Sequence, residues 1–163
     1  MALQALREAG HIAARAREHG ATLVQAGARL RDVVEAVEDH IRKGGGQLAF
    51  PVQTSVNEVA AHDCPSPEDE RTYAIGDIVK LDVGVHVDGY VVDTATTVAV
   101  GAATPPPLVL AARAALEAAL QVAGPNVPIW RLSAAIATTL RTFGVRPMRN
   151  LCGHHVGRYT VHC

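Results

Sequence analysis

Two aspartates, Asp82 and Asp93, lie within VKLDVGVHVDGYVVDTATTV (Val79–Val98), among Val, Leu, Tyr and Thr. Extended segments of this composition seldom carry carboxylates, because burial penalises the charge. The spacing offers a reason. Asp88-Gly89 between alternating hydrophobic residues is a strong signal for a two-residue hairpin turn. With that turn, Val87 pairs with Tyr90, Asp93 faces Gly84, and Asp82 faces Ala95. Side chains alternate faces along a strand. Lys80, Asp82, Gly84 and His86 then share a face with Val91, Asp93 and Ala95. The two carboxylates become diagonal neighbours, roughly 7–8 Å apart along the backbone. Their direct partners, Gly84 and Ala95, are small and leave space between them. Carboxylates so placed repel each other and lose hydration, so one takes up a proton or a cation supplies positive charge. Two cations bridged by carboxylates suit hydrolysis. The other reading is a solvated face on which both aspartates are simply wet, and spacing alone leaves both open.

The eight histidines divide into groups. His11, His19 and His40 fall among charged residues of helical segments and read as surface residues. His86 shares the carboxylate face but lies near the turn, where a structural role fits. His62 follows Val59-Ala60-Ala61 and is either a loop residue or one facing the same cavity. The tail is denser: Gly153-His154-His155-Val156-Gly157-Arg158-Tyr159-Thr160-Val161-His162 holds three histidines. In an unbroken strand His154 and His162 would stand some 25 Å apart (~3.3 Å per residue), too far to share an ion. A bend near Gly157, or two separate roles, is required. One role is a metal ligand, the other a hydrogen-bonder or proton carrier toward substrate. Imidazole with carboxylate suits Mn, Fe, Co or Zn better than Mg or Ca.

The elements that position these residues are readable from periodicity. Leu3, Leu6, Ala9, Ile12, Ala13 and Ala16 recur at helical spacing and predict a helix over 2–19, ending at Gly20. Leu30, Val33, Val34, Val37 and Ile41 predict a second helix over 28–43, stopped by Gly44-Gly45-Gly46. Gln47–Val52 reads as a short extended piece, irregular at Pro51. Asn57–His62 fits either a short strand or a turn, and Ser66–Glu70 a surface loop. After the hairpin, Pro105-Pro106-Pro107 precedes a third helix near 108–123. A fourth, near 128–143, carries the stripe Ile129, Leu132, Ile136 and Leu140 and stops at Gly144. Arg146–Cys163 reads as extended. Helices and strands in this order give a mixed α+β class.

Composition narrows the function classes. With 48% hydrophobic and 19% charged residues, the chain is globular. Lys+Arg 15 against Asp+Glu 16 gives a net charge of −1, which does not point to nucleic acid. Three cysteines, Cys64, Cys152 and Cys163, lack a disulfide framework spacing and read as reduced thiols. No long apolar run points to a membrane span, and the expected location is cytoplasmic.

Four segments resemble a known family. They are Ala49-Phe50-Pro51-Val52 leading into Ser55–His62; Gly76–Asp82; Gly84–Thr97; and Asn150-Leu151 with Gly153-His154 and Arg158–His162. Together they resemble the N-terminal half of the archaeal-type (type II) methionine aminopeptidases, in the peptidase family that includes prolidase and creatinase. The likeness extends over essentially the whole chain. Ala60-Ala61-His62 and the long Asp-to-Asp hairpin favour type II over type I.

The resemblance implies a pita-bread fold, a curved antiparallel sheet covered by helices, of which only the first pseudo-symmetric half is present. It implies removal of the initiator methionine from nascent proteins and peptides by dinuclear-metal hydrolysis. Two divalent ions (Co, Mn, Fe or Zn) are implied, with Asp82, Asp93 and His154 as metal ligands. His62 and His162 fall at the family's substrate-contacting histidines, and Phe50 and Val161 at its methionine pocket. Gln53 stands where the family commonly has Asn. Two glutamate ligands of the family lie beyond the matched region, so residues 1–163 read as one incomplete catalytic domain, inactive alone. The exposed sheet edge of such a half is expected to invite pairing with another chain. A non-catalytic binding module of the same fold, or another exopeptidase such as a prolidase, are the alternatives.

Overall fold

The computed structural model describes residues 1–163, which form two compact units: Met1–Ala102 with His154–Cys163, and Ala103–Gly153.

The first unit is a sheet backed by two helices. Helix α1 spans Ala2–Leu23 and α2 spans Leu30–Lys43. The strands are β1 (Gln47–Leu48), β2 (Gln53–Val56), β3 (Ile78–Val87) and β4 (Tyr90–Ala99), and all pairings are antiparallel. Strand β4 pairs along the whole of β3 in the register expected, with Val87 on Tyr90, Gly84 on Asp93 and Asp82 on Ala95. Asp88 and Gly89 both take positive φ, 51° and 82°, as a two-residue hairpin turn of this kind requires. Strand β2 pairs with the first half of β3, placing Gln53 opposite Asp82; β1 pairs near its end.

The pleat of β3 divides its side chains cleanly. Val79, Leu81, Val83 and Val85 are fully buried and form the core with Ile12, Val37 and Ile41. Each such aliphatic side chain contributes about 1.5–3 kcal/mol by leaving water. Lys80, Asp82, Gly84 and His86 take the opposite face. The α2 stripe is buried as periodicity predicts, from Leu30 to Ile41.

Several expectations are corrected. Helix α1 runs through Gly20 to Leu23. Gly20 is buried, and a Cβ there would stand 2.5 Å from both Leu81 Cδ2 and Val37 Cγ2. Close packing, rather than termination, is its reason. Leu3 is 62% exposed, and Ala5 takes the first buried position instead. The extended piece expected over Gln47–Val52 is a strand only at Gln47–Leu48, with β2 following at Gln53–Val56, and of the two readings of Asn57–His62 the turn holds, with positive φ at Asn57 and His62.

The tail forms no long strand. Gly157 and Thr160 close a tight turn, with the Gly157 N–H donating to the Thr160 carbonyl at 2.8 Å. Tyr159 at its apex has φ 56°. Its N–H donates to the Gly89 carbonyl at 2.8 Å, and Arg158 Nε donates to the Asp88 carbonyl at 2.9 Å. The tail is thereby tied to the hairpin tip.

The second unit is a helical pair, α3 (Pro107–Val122) and α4 (Ile129–Thr142). Proline at the start of α3 suits a first turn that needs no N–H, and Gly144, at φ 70°, terminates α4. Ala111 and Ala115 pack with Leu140, Ile136 and Val145. Leu108, Leu116, Leu120, Ile129 and Trp130 are exposed, so the stripe expected on α4 is buried only toward its C-terminal end.

Candidate functional site

Asp82 on β3 and Asp93 on β4 meet on the face of the sheet opposite the helices. Burial pushes the Asp82 carboxyl up to about 6, with Asp93 adding repulsion and a hydrogen bond that favours the protonated form. Asp82 Oδ1 is buried and has no hydrogen-bond partner. An orphaned carboxylate oxygen is costly unless a proton or a cation attends it.

The bend at Gly157 solves the problem of the distant histidines. The rings of His154 and His162 pack edge to face, with centroids 4.3 Å apart. His154 Nε2 lies 3.3 Å from Asp93 Oδ2. A cavity of about 240 Å³ opens beside them, lined by Phe50, Gln53, His62, Asp82, Asp93, Val161 and His162. Of the seven residues expected at the site, six line this cavity, and His154 touches it through Asp93.

The space expected above Gly84 is not free. A Cβ on Gly84 would collide with the Phe50 ring, so this glycine admits an aromatic side chain beside Asp93. One residue lining the cavity was not anticipated there. Gln53 lines the cavity and accepts the His62 N–H at 3.0 Å through Oε1. Tyr159 packs edge to face on His86 at 5.5 Å, and His86 Nδ1 accepts the Gly89 N–H at 3.2 Å. His86 is thus structural, as its place near the turn suggested. Only the β2–β3 register places Gln53 here, and no sequence signal marks β2 as a strand.

The donor set of two carboxylates and an imidazole, with an unpartnered Asp82 oxygen, fits a divalent cation of the transition series. The side chains do not form a finished cage: no group of three or more His, Cys, Asp or Glu donors surrounds a common point. Asp93 and His154 instead touch each other.

Residues 4–163 match metallopeptidase family M24. The chain belongs to that family. It is 44% identical over 162 residues to a methionine aminopeptidase from Pyrococcus abyssi, covering 99% of this chain and 55% of that protein. It is 36% identical to a methionine aminopeptidase from Methanothermus fervidus, covering 98% of this chain and 92% of the other. The structure resembles a crystal structure of methionine aminopeptidase from Thermotoga maritima, with TM-score 0.89, 29% identity, and coverage of 98% and 67% of the two chains. A prolidase from Pyrococcus furiosus shares the fold, with TM-score 0.85 over 98% of this chain and 48% of its own. The fold is the α+β pita-bread arrangement of these M24 proteins, of which this chain spans part. It spans about half the length of the first curated relatives it matches.

Proposed function

We propose that the chain carries the metal-binding and substrate-contacting half of an aminopeptidase that removes the initiator methionine from nascent proteins. The observation that carries this reading is the cavity itself. It sets an apolar wall, Phe50 and Val161, against a polar wall of Asp82, Asp93, His62 and His162. A side chain such as methionine suits the first wall, and a peptide N-terminus and carbonyl suit the second. Similarity to methionine aminopeptidases across nearly the whole chain supports the choice of substrate.

In this reading Asp82, Asp93 and His154 hold two divalent ions, whose chemistry there is Lewis-acid polarisation of the scissile carbonyl. Binding of cations removes the repulsion between the two carboxylates. His62 and His162 hydrogen-bond the substrate around the reacting carbonyl and relay protons. Phe50 and Val161 select an unbranched apolar first residue by fit. The remaining ligands are expected downstream, so residues 1–163 are an incomplete catalytic domain. No helix is long and apolar enough to cross a membrane, and we place the enzyme in the cytoplasm with nascent chains as its partners.

The test is turnover of Met-Ala-Ser and of Ala-Pro by the full-length native polypeptide with Co²⁺ or Mn²⁺, beside its Asp93→Ala variant. Release of methionine only, abolished together with metal content in the variant, is expected. Cleavage of Ala-Pro in preference would shift the reading to a prolidase. A variant with normal rates and normal metal content would remove Asp93 from the site.

A further inference from the structure

His62 sits in an unusual backbone state, and part of what holds it lies outside the cavity. Its φ of 66° is left-handed, a state that non-glycine residues keep only where their surroundings fix it. Three hydrogen bonds to β2 surround it. The His62 N–H donates to Gln53 Oε1 at 3.0 Å, and the Asp63 N–H donates to Ser55 Oγ at 3.3 Å. The Asp63 carbonyl accepts the Thr54 N–H at 2.9 Å.

Asp63 passes the constraint outward. Its carboxylate accepts both Arg71 Nη groups, Nη1 on Oδ2 at 2.8 Å and Nη2 on Oδ1 at 2.9 Å. The same guanidinium reaches Asp69, with Nε on Oδ2 at 2.9 Å and Nη2 on Oδ2 at 2.6 Å. The Arg71 backbone is fixed in turn. Its carbonyl accepts the N–H of Leu30, the first residue of α2, at 3.1 Å. Thr72 bridges to Arg29, and buried Tyr73 shares a 2.7 Å hydrogen bond with Thr54 Oγ1. Arg71 therefore joins the His62 turn to the start of α2, its guanidinium on Asp63 and its backbone carbonyl on Leu30.

We propose that Arg71, acting through Asp63, is a positioning residue that holds His62 against the cavity. This rests on the reading of His62 as a substrate-contacting residue. The side chains of Asp63 and Asp69 are only 16% and 10% exposed, while that of Arg71 is 51% exposed, so the pairs are shielded on the carboxylate side only. The planar fork matters as much as the charge: a lysine supplies the charge but cannot hold both carboxylates in plane. Arg71 lines no part of the cavity, so it acts on His62 and not on substrate.

The experiment compares Arg71→Ala, Arg71→Lys and Asp63→Asn in the full-length native polypeptide, each alone and combined with His62→Ala. With Met-Ala-Ser, kcat is expected to fall roughly 10–100-fold in the Arg71 variants, because a displacement near 1 Å is enough for such losses. KM should stay within about threefold, and no further loss should follow once His62 is already alanine. Equal losses in both backgrounds would overturn the proposal and leave Arg71 a general brace. A second readout does not depend on catalysis. In Arg71→Lys the amide and imidazole NMR signals of His62 should shift and broaden, while those of His86 stay in place. Unmoved His62 signals overturn the proposal whatever the turnover. Should the parent protein release no methionine, the functional reading fails and the NMR comparison alone decides the role of Arg71. If Arg71→Ala does not fold, Arg71→Lys and Asp63→Asn carry both comparisons.

Discussion

Asp82 is the residue at which sequence spacing and local physics agree most closely. The Asp88-Gly89 turn sets its face and its diagonal partner by spacing alone, and the register is as derived. Its carboxyl rises from the ordinary 3.8 to about 6 because burial and Asp93 disfavour the charge. The fold thus binds this proton more tightly than the unfolded chain does. That contribution to stability is complete below pH 3.8 and is lost as pH rises through about 6. In the metal-free chain at pH 7.5, Asp82→Asn is therefore expected to stabilise the fold. Full linkage would give roughly 3 kcal/mol, and partial exposure reduces that to about 1 kcal/mol. Urea unfolding at pH 7.5 and pH 4 checks it. A loss at pH 7.5, or an equal gain at both, contradicts the account. Gly84 was harder to read. Its small size was visible as space, but the sequence could not say that Phe50 would fill it.

The elements show which signals carry over long distances. Helix α2 and the β3–β4 hairpin follow from apolar period and turn chemistry, both local. Gly20 misleads because glycine marks both a helix stop and a place of close approach, and only the sheet beneath α1 distinguishes them. Helix α1 offers a matched pair that tests this. A Cβ added at Gly10 would meet nothing within 4 Å, whereas one at Gly20 would meet Leu81 and Val37 at 2.5 Å. Gly10→Ala is expected to stabilise by about 0.5–1 kcal/mol through helix propensity. Gly20→Ala is expected to destabilise by about 1–3 kcal/mol through overpacking. Thermal unfolding of the two variants settles the matter, and stabilisation by Gly20→Ala as well would refute close packing at Gly20. Strand β2 was missed because its four residues carry no alternation beyond Thr54 and Ser55, both buried. A bend near Gly157 is one of the two readings that the histidine spacing allows. Its actual form depends on Tyr159 meeting the hairpin tip, which no local pattern encodes.

At the scale of the whole molecule, the chain carries the three residues proposed as metal donors, Asp82, Asp93 and His154, and spans about half the length of its first curated relatives. Residues 1–163 alone are expected to bind divalent ions weakly and to release no methionine from Met-Ala-Ser with added Co²⁺ or Mn²⁺. Measurable turnover by the homogeneous 163-residue chain would show that the site needs nothing more. The intact mass of the native gene product bears on the same question: a value near 17.1 kDa means the cell makes this length, and about twice that means it makes a longer chain. The order in which the chain visits the cavity matters during synthesis. Both chain segments of the first unit, Met1–Ala102 and His154–Cys163, contribute to the cavity, and the helical pair of residues 103–153 lies between them in the chain. A ribosome therefore completes the hairpin carboxylates well before it delivers His154 and His162. During that interval His62 is the only imidazole at the cavity, and Phe50 stands without Val161 on the apolar wall. Closing it later is an ordinary loop closure, whose entropy grows only slowly with length, about 0.6 kcal/mol per doubling. The intervening helices can thus lengthen, shorten or be exchanged over evolution with little penalty to the site, which matures as the last step of making this half.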